Sequence, residues 1–245
     1  MFKTIIFAFF YFVITGAVLG QSGNNDSVIF EKARYNTLQV YHQFMGNQAS
    51  LYNGYRYNDY RYLYSSGIPF LDTTVMTRGT IVFNNVFYEN VLMMFDVFKE
   101  KLIVATPGSY NMVELASDRV AEFTLLNHHF KKFKAQNGKS QIPSGFIEVL
   151  FEGVGHRIYK KHIKVQREDL SGRKLIYSME DRFQYTVQNG NKFYRIKNKR
   201  VLLKAYADNR QELRGFLRKS HFQFKTKTDK QLKEIAAYME TLNAQ

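Results

Sequence analysis

The 245-residue chain has no cysteine. Disulfide bonds are therefore excluded, and so is a lipid anchor on an N-terminal cysteine. Without cross-links the fold must rest on core packing alone, which small exported domains rarely manage. The common hydrolytic signatures are missing as well: no G-x-S-x-G elbow, no H-E-x-x-H pair, no cysteine nucleophile. A glycine-rich phosphate loop is absent too, since Gly153 and Gly155 are accounted for by a tight turn between two strands. Only three prolines occur, and no Pro-rich or Gly/Ser tract divides the chain. That economy predicts a single domain over residues 21–245.

The one long apolar run is MFKTIIFAFFYFVITGAVLG, with an early Lys3, an apolar stretch from Ile5 to Ile14 and small residues at Gly16, Ala17 and Gly20. This is the pattern of a signal peptide over residues 1–20, cleaved at or close to Gly20. It falls short of the ~20 consecutive apolar residues that a spanning helix needs. The expected location is therefore periplasmic, outer-surface or secreted. Charge is uneven: residues 21–140 carry 12 basic and 10 acidic side chains, residues 141–245 carry 22 and 11. A basic excess confined to the second half favours phosphates, anionic glycans or lipid headgroups as partners. Export argues against nucleic acid, although basic and aromatic residues interleave in RKSHFQFKTKTDK as in single-strand binders.

Periodicity gives the expected elements. Apolar positions Phe30, Ala33, Leu38, Tyr41 and Met45 recur at helical spacing, so an N-terminal helix is expected within 21–50, capped by Asn25 to Ser27 and ending near Gly46. Between Thr74 and Phe133, runs of Val, Ile, Phe and Tyr broken by Asn-Asn, Glu-Asn and Lys-Glu-Lys predict about five short antiparallel strands. GFIEVLFEG and HRIYKKHIKVQRE read as a hairpin, and a second is expected with Asn189-Gly190 at its turn. Helical spacing returns at Val201, Leu202, Ala205 and Tyr206, then at Leu213, Phe216 and Leu217, with Asp208 and Gln211 as a capping box. A last helix from Thr228 buries Leu232, Ile235, Ala236, Met239 and Leu242. The predicted class is α+β: an antiparallel β-rich core over 51–197, either a sandwich or a half-open barrel, with an N-terminal helix and C-terminal helices over 198–245.

The order of the segments LYNGYRY, SGIPFL, GTIVFNNVFYENVLMMFDVFKEKLIV, RVAEFTLLNHHF, GFIEVLFEG and ELRGFLRKSHFQF resembles a family of exported β-rich proteins of Gram-negative bacteria with no assigned activity. The resemblance rests on Leu51 to Gly54, Gly67 to Phe70, Tyr88 to Val91 before Phe95-Asp96, and Gly145 to Gly153. It implies an exported envelope protein and carries no catalytic residues with it. Phe95 departs from the tyrosine more usual in that family before the aspartate.

Two groups of candidate ligand-binding residues stand out. LYNGYRYNDYRYLY, Leu51 to Tyr64, holds six tyrosines and two arginines in fourteen residues. Turn pairs at Asn53-Gly54 and Asn58-Asp59 predict a short hairpin with Tyr55 and Tyr57 on one face, then Tyr60, Tyr62 and Tyr64 on the next. Arg56 and Arg61 take the opposite faces. Two readings stay open: an aromatic sheet face packed on the first helix, or a Tyr/Arg platform that stacks a sugar ring or holds an anion. The second group is basic: Lys160 and Lys164, expected with Arg182, Lys192 and Arg195 on exposed sheet surface, and Lys197, Lys199 and Arg200 in KNKR. Phe216, Phe222 and Phe224 are expected in the core.

No metal and no cofactor are expected. Of the six histidines, adjacent His128 and His129 point to opposite sheet faces. His156 and His162 share a face but stand about 20 Å apart at about 3.3 Å per residue, too far for one ion with bonds of about 2 Å. Glu148 with Glu152, Glu180 with Asp181, and Asp96 are candidate halves of a glycosidase pair, and nothing selects among them. The leading expectation is a non-enzymatic envelope protein that binds or assembles, with an anionic glycan, a lipid headgroup or an envelope protein as partner. A surface-glycan hydrolase and a structural part of a larger envelope complex are the alternatives.

Overall fold

The computed structural model describes residues 28–30, 32–34, 36–37, 50–109, 111–134, 142–171, 174–220 and 228–243. The expected signal segment, the end of the first helix at Gly46, and Phe222 and Phe224 lie outside the described residues. The chain divides into two compact units, Met1–Phe44 and Met45–Gln245. In the first, residues 28–30, 32–34 and 36–37 are helical, and Val28, Ile29 and Phe30 are exposed.

The second unit is built on one sheet of twelve strands. In chain order these are β1 (Tyr55–Arg56), β2 (Tyr64–Ser66), β3 (Thr77–Phe83), β4 (Val86–Asp96), β5 (Lys101–Ala105), β6 (Met112–Glu114), β7 (Val120–Leu125) and β8 (His128–Phe133). There follow β9 (Gly145–Glu152), β10 (His156–Ser171), β11 (Lys174–Asn189) and β12 (Lys192–Ile196), then helices α1 (Lys199–Ala205), α2 (Arg210–Lys219) and α3 (Thr228–Asn243). The α+β, antiparallel β-rich expectation holds. A single open sheet takes the place of a sandwich, and Thr77–Phe133 supplies six strands where about five were expected.

Two-residue turns fix the hairpins. Asn84-Asn85 and Leu126-Asn127 all have positive φ, the geometry that matches the right-handed twist of paired strands. The β11–β12 turn is Gly190-Asn191, with Asn189 still paired to Lys192. Asn198 caps α1 by accepting the Val201 N–H at 3.1 Å. The N-cap of α2 is Asn209, and its side chain makes no capping bond there, so the expected Asp208 box is one residue out.

Sheet order runs β1-β6-β5-β4-β3-β7-β8-β9-β10-β11-β12, with β2 pairing in parallel onto β11. The link from Arg56 at one edge to Tyr64, which pairs with Tyr177 of β11, can span at most about 28 Å even when fully extended. The sheet must therefore curl until β11 comes within that reach of the β6 edge. Segment 57–63 is a strap across the opening rather than the expected hairpin.

One face of the curled sheet carries two apolar clusters. Phe95, Phe123, Phe130 and Phe146 pack ring on ring at centroid distances of 4.8–5.6 Å over β4 and β7–β9. Leu150, Ile158, Val187 and Ile196 meet the buried stripes of the helices: Leu202 and Leu203, Leu213 and Leu217, then Leu232, Ile235, Ala236 and Met239. Phe216 and Leu242 pack against this second cluster while staying partly exposed.

Candidate functional site

The strand β12 and helix α1 place basic side chains around an open groove. Ile196 turns inward, Arg195 and Lys197 turn outward, and the Asn198 cap starts a helix that buries Leu202, Leu203 and Ala205. Lys199, Arg200 and Lys204 are left in solvent. A groove of about 650 Å³ is lined by Arg195, Lys197 and Lys204 together with Gln184, Tyr194, Pro143 and Val201, and no carboxylate among the described residues lines it. A neighbouring groove of about 490 Å³ shares Gln184, Arg195 and Lys197 and adds Arg182 and Asp181. Among the described residues none of Lys192, Arg195, Lys197, Lys199, Arg200 and Lys204 forms an ion pair, in contrast to Arg182, which approaches Glu180 at 3.7 Å.

Lys160 and Lys164 require a correction. Both were expected on exposed sheet, but their side chains are 7% and 5% exposed. Lys160 donates to Asp229 at 2.5 Å and lies over the Phe183 ring at 4.3 Å, and Lys164 meets Asp181 at 2.6 Å. Local alternation could not show that α3 would bring Asp229 across this face. Lys161, on the opposite face, is likewise buried and donates to Glu100 and to the carbonyls of Ser144 and Phe146. Buried cations are thus paired, as the cost of desolvation demands, whereas those exposed on β12 and α1 have no ion-pair partner among the described residues.

Between the two apolar clusters lies a polar one. Phe130 pairs with Glu148 and Glu148 with Lys160, so His128, Glu148, Lys160 and His162 share one sheet face. Glu148 is 4% exposed and accepts from His128 Nδ1 and His162 Nε2, each at 2.7 Å. His128 Nε2 reaches Asp72 at 3.2 Å, Lys160 stands 3.9 Å from Glu148, and Tyr185 donates to Asp229 at 2.6 Å. Burial alone would raise the Glu148 pKa, but the hydrogen bonds from the two imidazoles outweigh it and hold it at about 2. The same bond raises His128 against its own burial. Burial and the Asp229 carboxylate raise the Tyr185 hydroxyl. Sequence spacing missed this cluster because it compares residues along one strand, whereas these come from three. The available signal was Glu148 itself, a carboxylate between Ile147 and Val149 in a strand apolar on both faces.

No protein-family model, curated protein or solved structure matches this chain. Its functional reading therefore rests on its own geometry. The aromatic stretch does not form one platform. Tyr55 and Tyr62 are 85% and 79% exposed, Arg56 and Arg61 are exposed, Tyr60 and Tyr64 are half-buried, and Tyr57 is buried. Tyr57 and Tyr60 both donate to Asp96, Tyr64 donates to Gln166, and Arg61 is taken up by Asp59 and the Thr74 carbonyl. The expected common faces fail because a 3-10 turn at Arg61–Leu63 breaks the alternation.

The carboxylates considered for hydrolysis are also dispersed. An irregularity between Ile158 and Tyr159 in the β9–β10 pairing leaves Glu152 opposite Arg157, on the other face from Glu148. Glu180 pairs with Arg167, Asp181 with Lys164, and Asp96 is held by two tyrosines.

Proposed function

We propose that this is a non-enzymatic, exported protein of the cell envelope that binds an anionic envelope component along the β12–α1 face. The observation that carries the reading is the groove of Arg195, Lys197 and Lys204, which is lined by no carboxylate and whose cations have no ion-pair partner among the described residues. Tyr194 and Gln184 in the same wall add an aromatic ring and an amide, which suit a sugar bearing phosphate or carboxylate groups. The basic excess of the second half adds a long-range field of the same sign. Glycan hydrolysis needs two acids facing one bond within about 10 Å; Glu148 and Asp229 come that close, but Lys160 stands between them and ion-pairs with both, which favours binding.

Phosphorylated glycan and anionic lipid headgroup offer the same phosphate chemistry, so the test uses both. Fluorescence titration with a soluble phosphorylated polysaccharide and co-sedimentation with vesicles of anionic or neutral lipid separate the sources. Each Lys or Arg at an anionic surface contributes about 1 kcal/mol, so neutralising Arg195, Lys197 and Lys204 together is expected to weaken binding about 100-fold. Affinity is expected to fall as salt rises, because exposed charge contacts are screened. Binding that ignores both salt and the triple substitution would refute the groove.

A further inference from the structure

The cluster beneath the two histidines has a charge problem that points beyond anion binding. Asp72, Glu148 and Asp229 bring three negative charges to it and Lys160 brings one positive. With neutral imidazoles the sum is two negative charges, of which Asp72 and Asp229, 60% and 38% exposed, share theirs with solvent, while Glu148 is buried beside Lys160. Two protons, one on each histidine, would balance it. One divalent cation would do so as well.

The donor set fits the second solution. Single ligand atoms of His128, Glu148 and His162 all lie within 4.8 Å of one another. Two donors on one tetrahedral zinc stand about 3.4 Å apart for bonds of about 2.1 Å, so the 2.7 Å contacts need only open modestly around an ion. Asp72 holds the remote nitrogen of His128, the outer carboxylate that orients a metal-bound imidazole. Phe130 and Phe183 flank the His162 ring at 5.5 and 5.4 Å. A groove of about 520 Å³ between the Thr77–Gly79 and Thr124–His129 segments reaches His128 from solvent.

We propose that His128 Nδ1, His162 Nε2 and the Glu148 carboxylate form a mononuclear site for a divalent transition ion that prefers nitrogen and oxygen donors, zinc above all. Nitrogen and carboxylate donors without thiolate suit zinc or non-haem iron better than calcium or magnesium. Three protein ligands leave a further coordination position for water or an exogenous donor. The site is separate from the β12–α1 groove and stands or falls independently of it.

The test uses the untagged chain stripped of metal with a chelator and then dialysed against zinc. Elemental analysis is expected to find one zinc per chain. Cobalt in place of zinc is expected to give the visible absorption of a four- or five-coordinate ion. His128→Gln, at a side chain 22% exposed, is expected to fold with an unchanged circular dichroism spectrum and to lose stoichiometric uptake. Asp72→Asn touches no metal and is expected to weaken binding 10- to 100-fold. Zinc should raise the thermal midpoint of the parent chain and leave that of His128→Gln unchanged. Failure of the folded parent chain to take up zinc or cobalt, or uptake undiminished in His128→Gln, would overturn the site and leave a doubly protonated ion-pair network.

Discussion

Asp96 shows how a single buried carboxylate organises a segment that looks, in sequence, like a ligand platform. It is wholly buried and accepts from Tyr57 at 2.9 Å and Tyr60 at 2.7 Å on one oxygen, and from the Lys99 N–H at 2.8 Å on the other. The Lys99 ammonium completes the arrangement 3.7 Å from the Tyr60 ring centroid. Removing either hydroxyl takes a donor from a buried charge, which costs about 1.5–3 kcal/mol. Tyr57→Phe and Tyr60→Phe are therefore expected to lower unfolding free energy by that amount in urea titrations. Tyr55→Phe and Tyr62→Phe, on exposed rings, should stay within about 0.5 kcal/mol. Burial first, and then the Asp96 charge and hydrogen bond, raise the phenols of Tyr57 and Tyr60 above their ordinary value of 10.0. A folded pKa above the unfolded one means this contribution is complete below pH 10 and is lost as pH climbs past it. The urea midpoint is expected to decline above pH 10 in the parent chain and to decline less in the Tyr57→Phe/Tyr60→Phe double variant. Equal alkaline slopes in the two proteins would contradict the arrangement.

At the level of elements, the strap closes by way of Gly67. Its φ is +71°, and a Cβ there would stand 2.1 Å from the Met179 carbonyl oxygen of β11. Gly67→Ala must therefore push β2 off β11, and it is expected to cost more than about 1 kcal/mol. Amide exchange should quicken at Tyr64 to Ser66 and at Tyr177 and Ser178, while the β9–β10 hairpin keeps its protection. The same contrast separates what local sequence conveys from what it does not. The β11–β12 hairpin was readable, one residue out, because Asn189-Gly190 signals a turn between alternating strands and the turn forms at Gly190-Asn191, and α3 because its apolar stripe has one period. Parallel pairing of β2 with β11 leaves no local trace, since its partners lie more than a hundred residues apart, as in the Ser65 hydrogen bond to Tyr177. Nor does the irregularity in β9–β10, which moves Glu152 to the face opposite Glu148. The basic groove was half legible: Lys197 stands out in the KNKR charge run, whose Lys199 and Arg200 do not line the groove, whereas bringing Arg195 of β12 and Lys204 of α1 to one groove needs the helix to fold back. Of the histidine–carboxylate cluster only Glu148, a carboxylate in an otherwise apolar strand, left a local trace; its meeting with His128 and His162 comes from cross-strand register.

For the molecule as a whole, the distribution of its +14 formal charge gives a test of purpose. Buried Lys160, Lys161 and Lys164 are neutralised by Asp229, Glu100 and Asp181, so their removal would harm folding by leaving acids unpaired. The cations of β12 and α1 have no such partners among the described residues, and their mutual repulsion works against the compact state. At low ionic strength, replacing Arg195 and Lys197 by glutamate is expected to leave the thermal midpoint unchanged or raise it by a few degrees. Added salt should shrink that difference by screening over a length of about 10 Å at 0.1 M. Lys160→Gln should lower the midpoint under the same conditions, and salt should restore little of it. Binding to the anionic probes should follow the opposite order, lost in the groove variants and kept in any Lys160→Gln protein that folds. A groove substitution that lowers the midpoint as Lys160→Gln does would mark those cations as structural. Cations whose loss costs no stability but abolishes binding are explained by the ligand they hold.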